Sequence, residues 1–347
     1  MAAKQDVAEN TDGGTVTAGT LRAVVHEEYG PAEVLRLAQV PRPQPADGEV
    51  LVQVRAAGLD RGAWHVMTGE PYLGRLAFGL RRPKNPVLGM ELAGTVVALG
   101  RGVSRFAVGD EVYGVGRGSF AELAVAKEGQ LARKPQTLSF EEAAVVPVSA
   151  ATALQGLVEV GRVRAGQHVL VTGASGGVGS YAVQIAKALG AEVTGVAGPA
   201  KQDYVRGLGA DHVLDRTRED PADGTRRYDL VLDIAGRPPL RALRRALAPR
   251  GTAVLVGGEG GGKLTGGMNR QLRAVLLSMF VRQRLAMFVS IVRAPALERL
   301  SELVESGLVM PSLTGTYPLD RAPEAMRDLV AGRVRGKVAI VPGDGGL

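Results

Sequence analysis

The sequence contains no cysteine. That absence excludes disulfides, thiolate zinc sites and a cysteine nucleophile together, and it fits a reducing compartment. Aromatic residues are scarce, at 4%, so a surface for stacking nucleic-acid bases has little to build on. Long apolar runs are missing too. The most apolar stretch, "AVLLSMFVRQRLAMFVSIV" (274–292), is broken by Arg282 and Arg284, and no run approaches the ~20 apolar residues that a membrane span needs. The first twenty residues are small and polar with no apolar centre, unlike a secretory signal, and read as a flexible leader over 1–20. The cytoplasm is the expected compartment.

What is present is a soluble balance of 45% hydrophobic and 22% charged residues over 347 positions, enough for two domains of ~150 residues each. Lys plus Arg number 42 against 35 Asp plus Glu, a net charge of +7. A basic chain invites a nucleic-acid partner. Much of the arginine, however, lies between Arg237 and Arg293, where it alternates with leucine and alanine ("LRALRRALAPR"). A solvated or cofactor-facing basic surface explains that pattern better than nucleic-acid binding.

The texture of the chain changes twice. Residues 22–145 read as short strands and turns: "EVLVQVRAAGL" (49–59) puts Val50, Val52, Val54 and Ala56 on one side, the two-residue period of a half-buried strand. Frequent Gly and Pro between such strands suggest a small barrel or sandwich. Near residue 147 strands begin to alternate with helices, from "HVLVTG" (168–173) onward, which predicts a doubly wound parallel sheet. The chain then closes with a helix at "ALERLSELVESG", a strand near "LTGTYPL", a helix at "DRAPEAMRDLVAG" and a strand at "GKVAIVP".

The turn Ala174-Ser175-Gly176-Gly177-Val178-Gly179 is a G-x-G-x-x-G fingerprint with alanine at its first position. A strand enters it, a helix leaves it and a second strand follows, the setting in which the pattern holds a dinucleotide. Gly176 admits a pyrophosphate close to the backbone, Gly179 lets the helix sit on the strand, and the helix start offers unpaired amides and partial positive charge. At the end of the second strand, where NAD sites place an acid, "GVAGPAKQD" has none between Gly195 and Ala200. Lys201 follows instead, and Arg216 sits just past the third strand in "HVLDRTRED"; a Lys and an Arg suit a 2′-phosphate that a carboxylate would repel. The expected cofactor is NADPH.

The motifs "PVLGMELAGTVVALG", "FAVGDEVYG", "GQHVLVTGASGGVGSYAVQIAKALGAEV", "LGADHVLD" and "YPLDRAPEAMRDLVAGRVRGKVAIV", in this order, resemble the medium-chain dehydrogenase/reductase superfamily, in its zinc-free quinone oxidoreductase-like branch. The likeness runs from about 21 to 342. It implies an α/β protein: a Rossmann doubly wound parallel sheet over 148–292, beside a GroES-like β-barrel catalytic domain over 21–147 and 293–347. Gly198 and Lys337 complete the residues it assigns to the cofactor, and it implies a homodimer through the last strand of the cofactor domain, near Leu285–Ser290.

Zinc-dependent members carry Gly-His-Glu where this chain has Gly89-Met90-Glu91, and a cysteine ligand near Asp60. The four histidines, His26, His65, His168 and His212, show no metal-ligand spacing, so no metal is expected. Without a Lewis acid, hydride needs an acceptor that is already electrophilic, a quinone or an α,β-unsaturated carbonyl. Three residues in "GLDRGAWHVMTGEPYLG" (58–74) are catalytic candidates. Asp60 reads as a hydrogen-bonding group for ribose or substrate or as a turn-former; His65 as a proton donor or a histidine satisfied by backbone; Tyr72 as a lining of the cleft mouth or a surface residue. Other readings stay open: a zinc-free alcohol or aldehyde reductase on the same scaffold, a biosynthetic enoyl reductase, and a relative that binds RNA or serves structurally.

Overall fold

Strands covered by helices on both faces are apolar throughout rather than alternating, and residues 168–287 supply six of them. The structure, a computed structural model, describes residues 19–258 and 261–343. The expected leader lies outside the described residues apart from 19 and 20, as do residues 259 and 260 of the glycine-rich run 257–267.

The six strands pair in parallel in the order His212–Asp215, Glu192–Ala197, His168–Thr172, Tyr228–Asp233, Leu247–Leu255, Arg284–Met287. Numbered along the chain this is 3-2-1-4-5-6, the Rossmann order. The direction of winding reverses between His168–Thr172 and Tyr228–Asp233, which opens a crevice at their carboxyl ends. Core residues Val169, Val171, Leu230, Leu232 and Val254 are fully or almost fully buried, as a sheet clad on both faces requires.

The second sheet is mixed. Glu49–Leu59 is its spine, pairing with Glu91–Leu99 along one edge and, at its two ends, with Leu123–Lys127 and Lys337–Val341 along the other. Lys337–Val341 also pairs in parallel with Leu313–Pro318, so these two late strands complete a sheet begun at Glu49. Val50, Val52 and Val54 turn into its core together with Val96, Val112, Leu131 and Ile340. The two-residue period expected for 49–59 holds for Val50, Val52 and Val54, but Ala56 packs into the core of the parallel sheet. Leu51 and Ala57 are buried too, so the strand is covered on both faces over most of its length rather than half-buried. A third, smaller pairing joins Thr20–Val25 to Arg36–Pro41.

The region read as strands and turns also holds helices, Arg61–Thr68, Arg75–Phe78 and Phe140–Ala144, and another helix follows the glycine-rich loop. Arg61–Thr68 is a helix capped by the Asp60 side chain, which accepts from the Ala63 amide, and stopped by left-handed Gly69. Met268–Ser278 follows the glycine run without a capping side chain. The helix Ala294–Glu305 packs Leu297, Leu300 and Val304 into the same core as the parallel sheet, and its Leu297 carbonyl accepts from Tyr113 Oη at 2.6 Å.

Candidate active site

The glycine turn leaves the carboxyl end of His168–Thr172 at the crevice. A Cβ on Gly179 would overlap the carbonyl oxygen of Gly173, so only glycine lets the Gly177–Ala188 helix start this close to its strand. Gly176 has open space, its hypothetical Cβ meeting only Gly173 O at 3.4 Å. The first amides of a helix lack intrahelical partners, and here the helix starts at Gly177, directly after Gly176. Ala174 is buried with its amide on the Val196 carbonyl, and Val178 packs on the core. Ser175 gives its carbonyl to the Gly336 amide at 2.9 Å. The turn is thus bonded to the strand that completes the other sheet.

Gly177 is backed by two side chains: a Cβ there would stand 3.0 Å from Lys337 Cδ and from Ser149 Oγ. Lys337, 2% exposed, runs beneath the turn and ion-pairs with fully buried Glu91. Glu91 also accepts from the Val148 amide at 2.7 Å. Burial, with the Asp60 carboxylate adding to it, pushes Glu91 up to about 7 against the opposing pull of Lys337. Lys337 therefore supports the glycine turn from behind, and the ammonium expected to serve a cofactor is held by a carboxylate instead.

At the end of the second strand, the Arg216 guanidinium lies over Gly198, its Nε 3.2 Å from where a Cβ would be. Lys201 Nζ donates to the carbonyls of Gly332 and Val334 at 2.8 and 2.7 Å. Partial burial lowers its pKa, and the charges of Arg335 and Arg216 lower it further. Three cations from three segments thus meet around a place that lacks an acid. Arg335 was not singled out by the sequence pattern, because it lies 119 residues beyond Arg216 (335 minus 216).

The Arg61–Thr68 helix carries His65; Asp60 caps its start and Tyr72 lies in the short turn after it. Asp60 Oδ1 caps it at 2.8 Å from the Ala63 amide, while Oδ2 is buried with no hydrogen-bond partner. A Cβ on Gly62 would touch both Met90 Cε, at 2.6 Å, and Asp60 Oδ1, at 3.0 Å, so thioether and carboxylate flank one point. His65 Nδ1 lies 2.6 Å from the Glu70 carbonyl, an acceptor, so Nδ1 carries the proton and the ring closes the 65–70 turn. Tyr72 is 40% exposed; Arg75 is sandwiched between its ring and that of Tyr29, 4.5 and 4.4 Å from the two centroids. The Tyr72 and Leu73 amides donate to the carbonyls of Lys263 and Leu264, and Lys263 Nζ pairs with Glu70 at 3.2 Å. The glycine-rich segment that follows the strand Leu247–Leu255 is therefore bonded to the Glu70–Leu73 segment.

At the reversal point itself Thr172 Oγ1 donates to Asp233 at 2.7 Å, and Arg270 bonds the other Asp233 oxygen at 2.6 Å and the Pro238 carbonyl. The sequence carried a signal for this trio, an aspartate ending a buried strand "YDLVLD", without indicating its partner. Among the described residues no group of three or more His, Cys, Asp or Glu side chains is arranged to hold a metal, and no helix is long and apolar enough to cross a membrane.

Comparison with known proteins agrees with this geometry. Residues 46–136 match the alcohol dehydrogenase GroES-like domain and residues 208–340 the zinc-binding dehydrogenase family. A chloroplast envelope quinone oxidoreductase homolog of Arabidopsis thaliana is 33% identical, over 93% of this chain and 98% of its own. The chain belongs to the medium-chain dehydrogenase/reductase superfamily, in its quinone oxidoreductase-like branch. Within that superfamily, a 2-methylene-furan-3-one reductase of Solanum lycopersicum is 31% identical, over 98% of this chain and 84% of its own. The structure of a mycobacterial protein complexed with NADPH superposes with a TM-score of 0.80 at 28% identity, over 93% of this chain and all of the other. Homologues of this chain are NAD(P)H oxidoreductases.

Proposed function

We propose that this protein is a zinc-independent, NADPH-dependent reductase of activated acceptors, quinones or α,β-unsaturated carbonyls. The observation that carries the reading is the pair Asp60 and Met90, which flank one point at the head of the Arg61–Thr68 helix. Zinc-dependent relatives keep metal-binding side chains at these places; a thioether and a lone carboxylate make a poor zinc site. Without a Lewis acid to polarise a plain carbonyl, an acceptor must bring its own conjugation. The name of the tomato relative, a reductase of a methylene-furanone, supports the enone side of the reading.

The residues present fit the dinucleotide: the Gly173–Gly179 approach excludes any larger residue, the first amides of the helix lack intrahelical partners, and the Lys201, Arg216 and Arg335 cations favour a 2′-phosphate over a free hydroxyl. When bound, NADPH supplies the hydride. The protein positions and excludes water: Lys337 braces the turn, the 261–267 segment closes onto Glu70–Leu73, and Asp60 Oδ2 offers a buried acceptor to a hydroxyl of ribose or substrate. His65, on the helix that Asp60 caps, assists protonation of the reduced acceptor. In this reading 21–147 with 293–347 form the catalytic unit and 148–292 the cofactor unit.

We also infer a homodimer. Leu272, Val275, Leu276, Met279 and Phe280 are all exposed at helical spacing on and just beyond Met268–Ser278, beside the edge strand Arg284–Met287. An apolar stripe next to an open sheet edge is suited to a second copy.

The test is NADPH oxidation with a panel of quinones, enones, saturated ketones and aldehydes, with and without a chelator. Turnover of the first two classes, indifferent to chelation, is expected. Rapid turnover of a saturated ketone would overturn the proposal.

A further inference from the structure

The parallel sheet has a second concavity, at the end opposite the crevice. A cleft of ≈ 650 Å³ is lined by Arg162, Arg164, Arg250 and Arg284, with Asp229 its one carboxylate. These residues lie before or at the amino ends of the strands beginning at His168, Tyr228 and Arg284, and near the start of Leu247–Leu255. The glycine turn is at the carboxyl ends, so the cleft is separate from the cofactor site.

Three observations argue that the arginines are there for an anion. First, Arg162, Arg164 and Arg250 have no side-chain hydrogen bond or ion pair among the described residues. Arg284 alone is engaged, donating to the Val160 carbonyl, and Asp229 already accepts from the His168 amide at 2.9 Å. Four like charges from three places in the chain are therefore gathered against a single carboxylate, Asp229, an excess of positive charge whose repulsion an anionic ligand would relieve. Second, Arg162 is the sole non-glycine residue with positive φ, at 55°, among the described residues. The left-handed conformation after a helix end is one that glycine adopts freely and a side chain pays for. Gly161 stands one place too early to serve, and a long cation occupies the strained position. Third, the volume is of the order of a small-molecule site, far above that of one phosphate ion.

We propose that this cleft binds a small molecule carrying two or more linked phosphates, the guanidiniums gripping its oxygens in bidentate pairs. The chemistry is shared by an inorganic polyphosphate and a nucleoside polyphosphate.

The experiment is calorimetric titration of the full chain, with and without saturating NADPH, at ~0.15 M salt so that diffuse charge is screened. The probes are inorganic tripolyphosphate and ATP. One saturable site per chain is expected for at least one probe, unchanged by NADPH; tighter binding of ATP would assign the nucleoside, equal binding the phosphates alone. Arg162→Gly and Arg250→Ala should each weaken binding roughly tenfold or more. Arg162→Gly relieves the backbone strain, so its melting temperature should hold or rise, which separates lost binding from lost folding. The control Arg101→Ala removes one exposed arginine, paired with Asp47 in the turn after Glu91–Leu99, and should leave binding of both probes unchanged. Absence of saturable binding would overturn the proposal, as would an equal loss in the control. So would a single-stranded RNA that binds more tightly than either probe with several sites occupied, since that marks a nucleic-acid surface.

Discussion

Arg216 lies across Gly198, where any Cβ would press on its guanidinium. Nothing else in the described residues bonds that guanidinium, whereas Lys201 is already engaged by two carbonyls. The two cations therefore test different things. Arg216→Ala should weaken NADPH binding roughly tenfold or more, the loss of a charge-assisted contact, and leave NADH almost unchanged; equal losses in a fluorescence titration would show that the arginine does not meet the 2′-phosphate. Lys201→Ala also frees the Gly332–Val334 loop and so mixes two effects. His65 is a sharper case for chemistry. His65→Phe should lower kcat on enones roughly 100-fold while sparing NADPH affinity, and wild-type kcat on every acceptor would leave the ring as a staple for the 65–70 turn. The missing acid, Lys201 and Arg216 were legible from spacing alone. Arg335 and Glu70 were not, because they join the site through tertiary pairing.

The Arg61–Thr68 helix shows how an element is missed. Its signals were present, Asp60 before it and Gly69 after it, yet eight residues inside a strand-rich region carry little periodicity. Its role follows from its cap. Asp60→Ala should cost about 1 kcal/mol of stability in chemical denaturation, whereas Asp60→Asn keeps an acceptor for the Ala63 amide and should cost far less. Equal destabilisation by both would show that the carboxylate charge, not the cap, holds the helix. The Met268–Ser278 helix was hidden for a different reason. Its apolar face points outward, so the usual match between pattern and core fails, and its start follows glycines with no capping side chain. Long, buried elements were by contrast plain: His168–Thr172 and Gly177–Ala188 lie where their spacing places them.

At the scale of the whole molecule two features are testable. Glu91 is held near 7 by burial, above its ordinary 4.5. A carboxyl whose folded value is raised contributes stability that is fully present below the unfolded value and is lost as pH rises through the folded one. This contribution should therefore disappear between about pH 4.5 and 7, and Glu91→Gln should flatten the pH dependence of melting temperature across that window. An identical wild-type and variant slope would assign the dependence elsewhere. The second feature is the exposed apolar stripe. Phe280, 82% exposed, is the residue whose replacement by glutamate should shift the protein from dimer to monomer in sedimentation at micromolar concentration. A wild-type monomer under those conditions would refute the dimer.

The bond from the Gly336 amide to the Ser175 carbonyl, with Lys337 pressed under Gly177, has a consequence for biogenesis. A ribosome adding roughly 5–20 residues per second delivers the glycine turn well before the strand that braces it. For of order ten seconds the nascent chain carries the glycine turn with no floor, and its first sheet lacks the strand that joins Glu49–Leu59 to Leu313–Pro318. Until that strand has emerged the turn has no brace and the sheet is incomplete, so the interval of greatest exposure to proteases and to aggregation is set by the rate of translation.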